Sequence, residues 1–196
     1  ELGTSTLDFP VGSASFYSPV SVTLNNVAGL AEIGVRNFGN EHPQIGASDI
    51  QSNKSVNTYW AFDQNGGVYS SADITFNWDA AQVDGGANTT NFRVGQYYSD
   101  ASEWSVLPSS NQQATSISTT GITNFTDMSY AVGETIPATV GDYRSVNSGD
   151  WSNPSSWQQY NGISWIAAVT APSSSGNVIT IRDGHTITVN STVTAD

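Results

Sequence analysis

Short segments in which apolar and polar residues alternate constrain the fold of this chain most strongly. Val20, Val22 and Leu24 alternate with Ser21 and Thr23, so that the three apolar side chains share one face. Successive side chains of a strand point to opposite faces of a sheet, whereas a helix repeats about every 3.6 residues. Similar segments recur between clusters of turn residues, and no stretch has helical spacing. The pattern predicts an all-β chain.

The same alternation predicts two pairs of sequential strands in the first three quarters of the chain. Residues 58–62 and 74–78 are typical of a hairpin whose turn is the Asp-Gln-Asn-Gly-Gly segment at 63–67, because Asn and Gly tolerate positive φ. This register places Trp60 and Trp78 in the core. Residues 92–98 and 104–107 form the second pair. Strands at this spacing predict an antiparallel β-sandwich of two sheets.

Composition excludes several classes of function. Charged residues make up 11% of the 196 residues, the formal net charge is −12, and the chain has no Cys. The negative field repels phosphate backbones and anionic membrane surfaces, so we expect no nucleic-acid partner. No apolar run approaches the roughly 20 residues of a membrane helix, so we expect no direct membrane insertion. Without Cys, thiolate nucleophiles and disulfides are absent.

A connector that contains Pro137 and Gly141 divides the chain. We expect an Ig-like β-sandwich over residues 1–135, a linker over 136–142 and the start of a second β module over 143–196. In the second module, residues 178–181 and 186–189 alternate strongly and are joined by residues 182–185, which places His185 in a hairpin turn. The chain ends a few residues later, so we expect this module to be incomplete.

Two ordered sets of short motifs cover nearly the whole chain. The first set is FPVG (9–12), HPQIG (42–46), KSVNTYW (54–60), FNW (76–78) and AVGE (131–134). The second set is YRS (143–145), SGDW (148–151), SW (156–157) and ITIRDGHTITV (179–189). The first resembles a repeated Ig-like module of very large, multi-domain surface proteins of Bacteroidota, which the type IX secretion system exports. The second resembles the opening of a neighbouring module of those proteins that continues as stacked β-solenoid rungs.

The resemblance implies an extracellular or cell-surface location and a modular, repeated architecture, but no catalytic residue. The expected function is that of a non-catalytic structural or adhesive module, not an enzyme. Its expected partners are neighbouring domains of the same polypeptide, surface glycans or other cell-surface proteins. The alternative is a carbohydrate-binding module of a secreted polysaccharide-degrading enzyme. If the second module is a solenoid, further rungs would follow Asp196.

Few residues offer catalytic or metal-binding chemistry. His42 and His185 are the only histidines, and neither has a second His at a metal-ligand spacing, so both are interpreted as structural or solvated. The chain also lacks a Gly-x-Ser-x-Gly elbow, so we expect no catalytic residue and no cofactor other than calcium.

Calcium is the one metal whose ligands are present in clusters, because it binds carboxylate and amide oxygens. Asp63 and Asn65 offer such oxygens in one turn, and Asp84 and Asn88 offer them in another. Ordinary turn chemistry explains the same residues and is the favoured interpretation.

Three tryptophans crowd one irregular segment of the second module. Trp151, Trp157 and Trp165 are candidates for a sugar-binding platform, since flat rings pack against the apolar faces of pyranoses. The favoured interpretation is that they form the small core or cap of that module, because the segment has little else to bury. Exposed coplanar rings would indicate a platform, and buried rings a core.

Overall fold

The chain has an all-β fold, and it divides into two compact units, Glu1–Thr135 and Ile136–Asp196. The structure, a computed structural model, describes residues 3–173, 176–182 and 184–190. Within those residues the only helical segments are single 3-10 turns, at Ile45–Ala47, Ala80–Gln82, Thr89–Asn91 and Pro154–Ser156. The predicted all-β class is confirmed.

Within residues 3–135 the first unit contains ten strands in two five-stranded antiparallel sheets. The strands are β1 (Gly3–Phe9), β2 (Val20–Val27), β3 (Gly29–Phe38), β4 (Ile50–Val68), β5 (Ser71–Asn77), β6 (Phe92–Tyr98), β7 (Glu103–Leu107), β8 (Ser109–Ser110), β9 (Ser116–Ile122) and β10 (Met128–Thr135). One sheet has the order β1-β2-β5-β9-β8, and the other has the order β3-β4-β10-β6-β7.

The core of the first unit lies between these two sheets and is rich in aromatic rings. Trp60 on β4 meets Phe76 on β5 with ring centroids 4.9 Å apart, so the contact joins the two sheets. Phe62 stacks on Phe125 at 5.1 Å. Alternate residues of β2, β5 and β6 complete the cluster, as the period-2 pattern predicted. The result is a β-sandwich with a continuous aromatic and aliphatic core.

The predicted hairpin between residues 58–62 and 74–78 is wrong. β4 continues through residues 63–67 to Val68 and pairs with β3, whereas β5 pairs with β2 and β9 in the opposite sheet. Gly66 and Gly67 do adopt positive φ, of 68° and 94°, but they do so near the end of a long strand. Trp60 and Trp78 are nevertheless buried, as expected, because both face the space between the sheets.

Other local predictions for the first unit are confirmed. β6 and β7 are antiparallel partners, with Tyr97 opposite Trp104 and Gly95 opposite Val106. Residues 84–88 form a turn-rich connection, and residues 130–133 lie within β10. Alternation predicts β6, whose residues Phe92 and Val94 face the core, whereas Gly and Asn residues predict the connection at 84–88.

The second unit has short strands and a different pairing pattern. The strands are β11 (Tyr143–Ser145), β12 (Gly149–Asp150), β13 (Trp157–Tyr160), β14 (Trp165–Ala167), β15 (Ile179–Thr180) and β16 (Ile187–Thr188). One sheet has the order β14-β13-β11-β15, and β12 pairs with β16. The β11–β15 and β12–β16 pairs are parallel, so residues 179–188 lie alongside residues 143–150 in the same direction.

Two expectations for the second unit differ from the structure. β15 and β16 pair with β11 and β12, so His185 does not lie in a hairpin turn between paired strands; its Nδ1 lies 2.8 Å from Ser145 Oγ. Gly141 and Asp142, expected in a linker, make hydrogen bonds inside the unit: Gly141 donates to the Tyr160 carbonyl, and Asp142 accepts from the backbone N–H of Val178.

Candidate functional site

The first pair of calcium candidates lies on a strand and not in a turn. Asp63 and Asn65 are part of β4, opposite Gly34 and Glu32 of β3. Their side chains make local bonds: Asp63 Oδ1 accepts from the N–H of Gln64, and Asn65 Nδ2 donates to Glu32 Oε2. The expectation that they belong to a loop is wrong, because the strand continues through the residues that carry turn propensity.

The second pair lies in the expected loop, where both side chains are hydrogen-bonded to protein groups. Asp84 accepts from the backbone N–H of Ser55 at 2.8 Å and from Asn57 Nδ2 at 2.7 Å. Asn88 Oδ1 accepts from the N–H and the hydroxyl of Thr90, and so caps the turn Thr89–Asn91. These bonds are the ordinary turn and capping chemistry that the sequence favoured.

Glu41 brings a second carboxylate close to Asp84. The hydroxyl of Ser55 donates to Glu41 Oε1, and it also lies 3.4 Å from Asp84 Oδ2. Burial raises the pKa of Glu41, the Ser55 bond lowers it, and the charge of Asp84 raises it. Among the described residues no group of three or more His, Cys, Asp or Glu side chains is arranged to hold a metal ion. Calcium binding stays a prediction.

The three tryptophans of the second unit do not share one exposed plane. Trp157 is 1% exposed, and its ring meets Trp151 edge to face at 5.2 Å. Trp151 Nε1 donates to the Pro172 carbonyl, and Trp157 Nε1 donates to the Trp151 carbonyl. Trp165 lies apart, against Tyr160 and under the guanidinium of Arg144 at 4.6 Å. Trp151 and Trp157 therefore form part of the interior of this unit.

His42 is part of an aromatic cluster on the outer face of the β3-β4-β10-β6-β7 sheet. Its ring lies 4.8 to 4.9 Å from those of Tyr59, Tyr97 and Trp104. The N–H of Gln44 donates to Nδ1, so the neutral ring carries its proton on Nε2, which donates to Ser129 Oγ at 2.9 Å. Burial lowers the His42 pKa to about 4. His42 is thus a neutral, structural residue.

Beside this cluster a row of side chains crosses four strands and leaves a groove. Arg36 of β3 is opposite Ala61 of β4, Ala61 is opposite Ser129 of β10, and Ser129 is opposite Tyr97 of β6. Opposite residues of adjacent strands share a face. Because the two central residues are small and the outer two are large, the middle of the row is recessed. The groove has a volume of about 310 Å³.

Aromatic rings and charged groups surround this recess, which we call the Arg36 groove. Phe38 and Tyr59 stand beside it as a parallel pair with centroids 4.6 Å apart and an interplanar angle of 7°. His42 and Pro43 lie along the lining on one side, and Asp63 and Asp127 are also part of it.

Several polar groups of the groove have unused hydrogen-bonding capacity. The Arg36 guanidinium, the Asp127 carboxylate and the Tyr97 hydroxyl make no hydrogen bond to any residue in the described ranges, although Tyr97 is only 8% exposed. Burial also raises the pKa of Tyr59, so its phenol is a neutral donor and acceptor at physiological pH.

Comparison with known proteins identifies no relative. No family model matches the chain, and neither a curated protein nor a solved structure matches it. In the part of the chain that the structure describes, no helix is both long and apolar enough to span a membrane.

Sequence reasoning did not find the Arg36 groove. Its row combines residues from four strands, between positions 36 and 129, and their alignment depends on the order and register of β3, β4, β10 and β6. The usable signal is the alternation of Tyr59 and Ala61 with the buried Trp60, which places both on the face opposite the core. Nothing in one sequence shows that Ser129 aligns beside them.

Proposed function

We propose that this chain is a non-catalytic structural or adhesive module of a larger secreted or cell-surface protein. The first unit serves as a rigid spacer with its own core. The second unit joins a neighbouring domain of the same polypeptide by adding strands to its parallel pairs. The motifs that resemble type IX secretion substrates support the extracellular location.

The observation that carries this proposal is a strand edge of the second unit with which no described residue pairs. β15 is the last strand of its sheet, and β16 has β12 as its partner in a two-stranded sheet. Both strands belong to the segment 178–189, in which Val178, Ile181 and Val189 are 59%, 48% and 49% exposed. Unpaired strand edges beside exposed apolar side chains are typical of a surface that another strand covers.

The state of the Ser129–His42 pair supports a non-catalytic role. A Ser–His pair acts as a nucleophile when the imidazole accepts the hydroxyl proton and a third group accepts a bond from the other ring nitrogen. Here Nδ1 accepts from the N–H of Gln44, so Nε2 already carries a proton and donates to Ser129. A general base needs an unprotonated nitrogen facing the hydroxyl, whereas the His42 nitrogen that faces Ser129 carries a proton.

Hydrogen exchange measured by mass spectrometry tests whether the second unit is less stable on its own than the first. We expect slow exchange for the strands of the first unit and much faster exchange for residues 178–190, because within the described residues β15 and β16 are each paired along one edge only. Equal protection of both units in a monomeric sample would contradict the proposal, because the second unit would then be complete alone.

A longer product of the same reading frame provides the second test. If the chain is extended beyond Asp196 by about 80 residues, the amide protons of β15 and β16 should become protected as the added rungs pair with them. The first unit is the internal control, since its exchange should not change. Unaltered exchange at β15 and β16 would contradict the proposed junction.

A further inference from the structure

We infer that the Arg36 groove is a binding site for a neutral carbohydrate. The inference is independent of the proposed junction, since all of its residues belong to the first unit. The groove combines a recess over two small residues, Ala61 and Ser129, with aromatic walls and free polar groups at its rim. Small-molecule sites are concave, lined by aromatic side chains and provided with a few polar groups that fix orientation.

The size of the groove limits the ligand. Its volume of about 310 Å³ is near the lower end of the range for small-molecule sites, roughly 300 to 1,000 Å³. The loop residues His42 and Pro43 stand over part of the lining and are fixed by the hydrogen bond from Trp104 Nε1 to the Gln44 carbonyl. A recess of this size accommodates one or two sugar rings and not a long extended peptide.

The polar groups select a ligand that both donates and accepts hydrogen bonds. The Arg36 guanidinium only donates, whereas the carboxylates of Asp127 and Asp63 only accept. Within the described residues, Arg36 forms no ion pair with either carboxylate, so groups of both kinds remain available. A sugar hydroxyl satisfies both, because it accepts from a guanidinium and donates to a carboxylate.

The aromatic lining supplies the apolar part of the site. Phe38 is 36% exposed at an edge strand, and Tyr59 stacks against it. Flat rings of this kind pack against the apolar C–H faces of pyranoses. Charge argues against an acidic ligand, because the protein has a net charge of −12 and the groove contains one basic side chain beside two carboxylates.

Affinity electrophoresis of the whole chain tests the site. The probes are four neutral polysaccharides, namely galactomannan, xyloglucan, laminarin and dextran, with alginate as the acidic counterpart. We expect at least one neutral polysaccharide to retard the protein and alginate to leave it unretarded. Titration calorimetry with oligosaccharides of the retarding polymer then gives the dissociation constant.

Three variants locate the binding. Arg36→Ala removes the guanidinium donors, and Asp127→Asn removes the negative charge and one of the two acceptor oxygens, both at exposed positions. Each change should weaken binding at least about tenfold. Ala61→Trp fills the recess and should abolish retardation. The matched controls are Glu103→Gln, an exposed carboxylate outside the groove, and Trp165→Ala in the second unit; both should stay within about twofold of the parent. Circular dichroism checks that each variant is folded.

Four results with the parent chain and with Ala61→Trp would overturn the inference. These are the absence of retardation by every neutral polysaccharide, retardation that survives Ala61→Trp, retardation by alginate alone, and competition by glycine or alanine, which would indicate a zwitterionic amino-acid ligand. Loss of binding in Trp165→Ala would also overturn it, because the sugar site would then lie in the second unit. None of these results alters the exchange experiment on residues 178–190, so the two proposals fail separately.

Discussion

The two units differ in how much of their apolar surface they bury. Among the described residues, the first unit contains 21 of the 23 buried hydrophobic side chains, and the second contains two, Tyr143 and Trp157. The exposed large hydrophobic residues are distributed the opposite way, with five in the first unit and eight in the second. The first unit therefore has a core that stabilises it alone, whereas the second leaves apolar surface in water.

Polar groups provide much of the organisation of the second unit. Asp142 is 3% exposed and accepts hydrogen bonds from the N–H groups of Thr139 and Val178. Burial raises its pKa, but the hydrogen bonds from Thr139 and Val178 outweigh burial and lower it overall. Ser145 is also buried and accepts from the N–H of Arg182. These bonds fix the register of the parallel strands but supply less free energy than a large core.

Trp60→Ala tests whether the core of the first unit is as dense as its rings suggest. Trp60 is fully buried, contacts Phe76 and donates from Nε1 to the Ser18 carbonyl at 2.8 Å. We expect a loss of about 3 to 5 kcal/mol in the free energy of unfolding, measured by urea titration. Tyr17→Ala, at a 63% exposed aromatic residue, is the control and should cost less than about 0.5 kcal/mol. Similar losses in both variants would show that the sandwich core is loosely packed.

Trp157→Ala tests whether the second unit can unfold while the first unit stays folded. The change removes the larger of its two buried hydrophobic side chains and the bond to the Trp151 carbonyl, so we expect a cost of about 3 kcal/mol. Such a cost should unfold the second unit while the first remains native. Two-dimensional amide NMR spectra measure this directly. Loss of the first unit's resonances as well would contradict the independence of the two cores.

A pH titration of the free energy of unfolding tests the burial of His42 in the first unit. Burial lowers the folded-state pKa of His42 to about 4, below the ordinary value of 6.5. Above pH 6.5 the ring is neutral in both states and contributes nothing to the pH dependence. Between pH 6.5 and 4 the unfolded chain binds a proton that the folded chain does not. The free energy of unfolding therefore decreases as the pH is lowered through this range, by at most about 3 kcal/mol.

His42→Gln isolates this effect from the other groups that titrate. Protonation of Glu41 acts in the opposite direction, because its raised pKa makes the folded state bind a proton more readily as pH falls. Chemical denaturation of both proteins at pH 7, 5.5 and 4 gives the difference. We expect the variant to lose less stability than the parent over this range. Parallel pH profiles would show that His42 protonates in the folded state.

Alternation in the sequence predicted which residues are buried better than it predicted which strands pair. Trp60 and Trp78 are buried as expected, because the face of a strand follows from its own pattern. Their strands lie in opposite sheets because the chain crosses over at Tyr69 and Ser70, between β4 and β5. The Asn-Gly-Gly segment has the composition of a tight turn, but positive φ is equally compatible with a distorted strand end.

Alternation also fails to predict which strands pair in the second unit and around the Arg36 groove. Alternation predicts strand segments at residues 178–181 and 186–189, yet the parallel partners, Tyr143 and Gly149, lie 36 and 38 residues before Ile179 and Ile187. Long-range pairing depends on the surrounding fold and leaves no local pattern. The Arg36 groove requires the register of four strands at once, which no local signal contains.

We expect Ile181→Lys to have the smallest effect on the free energy of unfolding. This substitution tests directly whether the second unit, unlike the first, leaves a strand edge exposed. Ile181 follows the open edge strand β15 and is 48% exposed, so a lysine can extend into water while its stem covers part of the same surface. We expect the free energy of unfolding to change by less than about 0.5 kcal/mol and self-association at high concentration to fall, since edge lysines oppose strand pairing.

Ile117→Lys in β9 is the matched control: Ile117 is fully buried in the sandwich core, and the unpaired charge should prevent folding of the first unit. Urea titration and sedimentation velocity measure the two properties. If Ile181→Lys destabilised the isolated chain by several kcal/mol, the segment 178–189 would be an internal part of a finished domain. In the longer product, by contrast, the same substitution should disrupt the pairing of the added residues with β15. The amide protons of β15 and β16 should then exchange quickly again.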